Sequence, residues 1–108
     1  MVYERVIVVG GDHPSLAGHF PGYPIVPGVV LLREVLDTLR QGLAGPLFVT
    51  GFPHAKFSTP LKPGEVVTIR VEKETTTLAT FFCQVESRLI ASGSITFMPG
   101  TTLRAERE

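Results

Sequence analysis

Only one stretch of this chain repeats its apolar residues at helical spacing. Val29, Leu32, Val35, Leu36 and Leu39 recur at i, i+3 and i+4, the pattern of a helix with one apolar face. The spacing predicts a helix from residue 27 to about residue 42. Pro27 suits the first helical position, where its missing N–H is no loss, and Gly42 or Gly45 suits the exit. Val30 and Leu31 widen the apolar face, so the helix is expected to be covered on more than one side. A chain of 108 residues makes one domain with a single modest core, and this helix is expected at its centre.

Nearly everything else reads as β-structure. "YERVIVV" is β-branched and predicts a first strand closed by Gly10-Gly11. After Pro46, "PLFVTGF" and "HAKFS" read as two short strands, or as one strand broken near Gly51-Phe52-Pro53. Pro60 and the "KPGE" at 62–65 supply a turn. Val67, Ile69 and Val71 then alternate with Thr68, Arg70 and Glu72. Phe81, Cys83 and Val85 share a face, as do Leu89, Ala91, Ile95 and Phe97. Thr75-Thr76-Thr77 and Ser87-Arg88 are the expected hairpin connections, and residues 99–108 read as a polar tail that frays. One helix among several antiparallel strands is an α+β layout, in which the sheet must cover the helix to bury both apolar faces.

Composition excludes several classes of function. Lys plus Arg and Asp plus Glu are both 10, so the formal net charge is zero, and nothing argues for nucleic acid or an anionic membrane as partner. Hydrophobic residues at 44% against 19% charged describe a globular domain. A neutral domain this apolar is expected to form a homo-oligomer. Cys83 is the only cysteine, in a strand-like run, and is expected to be a buried inert thiol. "MVYERVIVV" has the character of neither a signal peptide nor a membrane span, so the cytoplasm is the expected location. "VIVVGGD" lacks the G-x-G-x-x-G of a dinucleotide-binding turn, and Pro14 leaves no room for the helix that must follow. His13, His19 and His54 have no metal-type spacing, and no metal is expected.

The chemistry gathers in "GHFPGYPIVPG", residues 18–28, which runs straight into the helix. Pro21, Pro24 and Pro27 restrict the backbone while Gly18, Gly22 and Gly28 permit tight turns. The loop feeds a helix N-terminus, where the first N–H groups lack intrahelical partners and the macrodipole is positive. Gly28 has no side chain to block approach, so a substrate oxygen can reach these donors, as an oxyanion or enolate requires. His19 beside such a site is a general-base candidate, because histidine titrates near neutrality. Tyr23 can line an acyl tunnel or cap a neighbouring carbonyl.

"GHFPGYPIVPGVVLL" resembles the H-F-P-G-x-P-x-x-P-G-V signature of the 3-hydroxyacyl-[acyl-carrier-protein] dehydratase family, which has the hot-dog fold. "KFSTPLKPGE" is similar to that family's second segment, and the resemblance covers about residues 4–98. Relative to longer members, the chain is expected to lack their leading segment before the first strand. The resemblance implies an antiparallel sheet wrapped round one long helix, and a homodimer or higher homo-oligomer with active sites at the subunit interface. It implies a substrate carried by acyl carrier protein or coenzyme A and no cofactor of the protein's own. By motif position, His19 removes the α-proton of the thioester, and backbone N–H groups at Gly28 and Val29 hold its carbonyl.

One position departs from the family. In the family the carboxylate that helps the hydroxyl leave comes from the central helix of the partner subunit, at the position fourteen residues after the histidine, which here is Arg33. A guanidinium keeps its proton at neutral pH and cannot replace it. Glu34 is adjacent but rotated by about 100°, and Asp37 lies on nearly the same face about 6 Å further along. Glu34 is the preferred candidate, because Arg33 and Asp37 can pair with each other at i, i+4. Arg33 can instead contact a phosphopantetheine phosphate. A hot-dog thioesterase, with Glu34 or Asp37 activating water, and a non-catalytic acyl-binding or partner-binding subunit are the alternative readings.

Overall fold

The computed structural model describes residues 1–10, 25–43 and 45–99. Among these, five antiparallel strands and one helix follow in the order β1 (Val2–Val8), α1 (Gly28–Leu43), β2 (Leu47–Phe57), β3 (Val66–Lys73), β4 (Leu78–Val85) and β5 (Arg88–Pro99). They form one sheet in the spatial order β1-β3-β4-β5-β2, so β1 and β2 are its edges. This is the α+β arrangement the strand patterns predict, with the sheet's inner face against α1.

Alternation sets that inner face. Val67, Ile69 and Val71 on β3, Ala79, Phe81 and Cys83 on β4, and Ala91, Ile95 and Phe97 on β5 are all buried. Register aligns them into rows, such as Arg5-Ile69-Cys83-Ala91-Phe57 and Tyr3-Val71-Phe81-Gly93-Ala55. Against them α1 buries Leu31, Val35, Thr38 and Leu39. The expected apolar stripe is therefore turned: Val29 is 73% exposed, and Leu32 and Leu36 are only half-buried. The cause is lopsided cover, since α1 lies mainly over β3 and β1. The apolar face is wider than the part of the sheet that meets it.

Two local expectations change for physical reasons, and one open alternative is decided. Gly42 lies inside α1 and does not end it; a side chain there would run into the Tyr3 ring. Of the two readings open after Pro46, the structure takes the single strand broken near Gly51-Phe52-Pro53: β2 carries register shifts between Val49 and Gly51 and between Gly51 and His54. Bulges of this kind absorb Pro53, which cannot donate to a ladder, and they leave Phe52 facing inward, edge-on to Phe81 with ring centroids 6.5 Å apart. The β4–β5 connection turns at Glu86 (φ 55°), so Arg88 is already the first residue of β5.

The turn expected at "KPGE" is present. Gly64 takes φ 89°, and the Glu65 carboxylate accepts the Lys62 backbone N–H at 2.8 Å. That bond, with the Arg88 guanidinium beside it, holds the Glu65 carboxyl below its usual range. No helix among the described residues is long and apolar enough to cross a membrane. The expected polar tail lies outside the described residues beyond Pro99.

Candidate active site

The uncovered side of α1 becomes a groove. Val29, Leu32 and Leu36 form one wall and Phe52 of β2 the other, around a cavity of about 550 Å³. Arg33, Glu34, Asp37 and Arg40 add four charges to its lining. Two of the residues singled out as catalytic or substrate-binding candidates, Glu34 and Arg33, thus share one groove with a third, Val29.

Each carboxylate of the groove already has a cation. Arg5 faces inward from β1, half-buried between Tyr3 and Ile7, and its guanidinium ion-pairs with Glu34. The same group donates to the Glu34 backbone carbonyl at 3.1 Å and to Thr38 Oγ1 at 3.2 Å. Thr38 in turn donates to the Glu34 carbonyl at 2.9 Å. Glu34 is therefore fixed across the gap between α1 and the sheet edge.

Asp37 pairs with Arg40 at 2.6 Å, not with Arg33 as the i, i+4 spacing allowed. An acid that precedes its base along a helix is the better-placed pair, and Arg40 meets that condition where Arg33 does not. Arg33 is exposed and, among the described residues, has no carboxylate partner.

Gly28 begins α1 on the other side of this wall. A side-chain carbon there would stand 2.8 Å from Phe57 Cζ, so any larger residue at this position would have to displace the exposed tip of that ring. The Phe57 ring occupies the space that the sequence left open beside Gly28, and it borders a second, mostly apolar cavity of about 390 Å³ with Ile25, Val26, Leu61 and Ile90. Gly28 and Val29 contribute N–H groups of the first helical turn, which lack intrahelical acceptors by geometry. His19 and Tyr23 lie outside the described residues, as does His13. His54 is exposed on the edge strand β2. Cys83 is buried in the core, and burial pushes its thiol up to about 12.

Sequence reasoning missed Arg5, Phe52 and Phe57. Arg5 had a legible signal, since a charged residue at the inward parity of a strand needs a partner across the core. Phe52 had none, because its facing depends on the bulges.

Among the described residues, one helix packed on a five-stranded antiparallel sheet, with a groove along the helix and a glycine at its start, defines a hot-dog domain. The chain belongs to the ApeI-like family, that of the ApeI dehydratase, whose profile matches residues 4–94. A 3-hydroxyacyl-[acyl-carrier-protein] dehydratase FabZ of Streptococcus pyogenes serotype M5 (strain Manfredo) is 31% identical, over 93% of this chain and 88% of the relative. The dehydratase heterocomplex ApeI:P from Xenorhabdus doucetiae has a chain of similar structure, with a TM-score of 0.78 at 24% identity, over 89% of this chain and 88% of that one. The fluoroacetyl-CoA thioesterase FlK shares the fold, with a TM-score of 0.70 at 13% identity, over 98% and 91% of the two chains.

Proposed function

We propose that this protein dehydrates 3-hydroxyacyl thioesters delivered on acyl carrier protein, giving the trans-2-enoyl thioester and water. The family match over residues 4–94 carries this reading. In it, N–H groups at Gly28 and Val29 hold the thioester carbonyl, so that charge developing on its oxygen meets donors already in place. His19 takes the proton from C2, the C3–O bond breaks, and the departing hydroxyl leaves as water with that proton. Glu34 is the carboxylate assigned to hold the leaving hydroxyl. Its support is geometric: Arg5 anchors it at the groove edge, whereas Asp37 is tied only to its own exposed helix surface. The reading needs no redox cofactor, because no electrons leave the substrate.

The groove is open in a single chain and β2 is an unpaired edge, which supports a reading in which a second subunit closes the site. A homodimer is the proposed form, and the ApeI:P heterocomplex among similar structures makes a second, different chain the variant to look for.

The test is hydration of a crotonyl thioester by wild type and His19→Ala, with circular dichroism and gel filtration confirming an intact fold and assembly. A fall of about 10²-fold or more is expected for loss of a general base; undiminished activity would refute the assignment. Release of free thiol without any 2-enoyl product would identify a thioesterase instead.

A further inference from the structure

The charges of the groove do not cancel. Arg5 neutralises Glu34 and Arg40 neutralises Asp37, which leaves Arg33 as the one lining cation without a carboxylate partner among the described residues. The rest of the wall near it is apolar: Val29, Leu32, Leu36 and Phe52. A ligand complementary to that surface has an apolar body and one anionic group.

Distance along the helix, with the reach of the arginine side chain added, bounds how far along the ligand the anion stands. Arg33 stands one helical turn beyond Val29, a rise of about 6 Å, and in the proposed function Val29 helps to hold the thioester carbonyl. An extended carbon chain covers about that distance in four or five bonds. The phosphate of a pantetheine arm stands more than a dozen bonds away, roughly three times as far.

We propose that Arg33 selects an acyl chain bearing a carboxylate a few carbons beyond the thioester, the substrate being a dicarboxylic monothioester. Guanidinium and carboxylate match as a planar bidentate pair. The replacement of the usual helix carboxylate by Arg33 then has a chemical purpose. Two carboxylates would repel, whereas Arg33 admits the anion.

This inference rests on the proposed thioester site but can fail independently of it. The probes are glutaconyl and pent-2-enoyl thioesters of N-acetylcysteamine, which differ by a terminal carboxylate against a methyl group and carry no phosphate. Their saturated counterparts, glutaryl and pentanoyl, report binding by calorimetry without turnover. Wild type is expected to prefer the carboxylate member, and Arg33→Gln to lower the ratio of the two by about tenfold or more, the usual range for a charge-assisted hydrogen bond. Arg33→Lys is expected to recover part of the ratio.

Binding preference that follows Arg33 without any turnover supports the inference while the dehydratase reading fails. Hydration of both probes with a ratio that Arg33→Gln leaves unchanged overturns the inference and keeps the dehydratase. Loss of assembly on gel filtration, with the ratio unchanged in the remaining folded protein, also overturns it and makes Arg33 a contact between subunits.

Discussion

Arg5 and Glu34 form the contact on which the placement of the groove's fixed carboxylate depends. Replacing Arg5 by Met keeps much of the side chain's volume but removes three interactions: the ion pair with Glu34, the 3.1 Å bond to its carbonyl and the 3.2 Å bond to Thr38 Oγ1. An exposed pair contributes about 0.2–1 kcal/mol. Here the two side chains are 25% and 27% exposed, so screening is incomplete, and a hydrogen bond involving a charge contributes about 1.5–3 kcal/mol when desolvated. A destabilisation of about 2 kcal/mol is expected for Arg5→Met, between those limits, and about 1 kcal/mol for Glu34→Gln, which keeps an acceptor oxygen. For a domain near this size, Arg5→Met then lowers Tm by roughly 10 °C.

The measurement is urea unfolding of wild type, both single variants and the double variant, at one protomer concentration because assembly shifts apparent stability. The singles are expected to exceed the double by about 1 kcal/mol when summed, since either substitution breaks the shared pair. Full additivity, within about 0.3 kcal/mol, would refute the clamp and leave Glu34 without a fixed orientation.

Two further outcomes come from the core. Gly42→Ala gains helix propensity of about 1 kcal/mol, yet its methyl collides with the Tyr3 ring. It is expected to destabilise wild type and to stabilise a Tyr3→Ala background, and thermal melts showing the same sign in both would refute that packing. Cys83 has its thiol raised from 9.0 to about 12 by burial. The unfolded thiol ionises first as pH rises, so this group's contribution is intact below about 9 and falls between 9 and 12, by about 1.4 kcal/mol per pH unit at most. Stability in that window is expected to fall less steeply for Cys83→Ala than for wild type, and equal slopes would count against a buried thiol.

Much of the fold is legible in the residues themselves. Period-two alternation in Val67-Ile69-Val71 and helical spacing around Val35 and Leu39 are local properties; the strand buries all three residues it predicts, the helix Val35 and Leu39 of its stripe. The loop signature at 18–28 is equally local, because prolines and glycines act on the backbone wherever they stand. It carries the family resemblance without reference to the fold. His19, the residue that carries most of the proposed chemistry, is known here from that signature alone.

What tertiary structure decided is everything that depends on which face meets which. Val29 has the helical spacing of a core residue and lies in a groove, because the sheet covers α1 mainly from β3 and β1. Asp37 has two cations within reach along the helix and takes Arg40. Glu34 finds its partner twenty-nine residues away on β1, a pairing that no spacing rule contains. Sequence periodicity sets the direction in which a side chain leaves its own backbone. Whether it meets apolar surface, an opposite charge or open space is set by the other elements, and in this protein that difference left Arg33 without a carboxylate partner among the described residues.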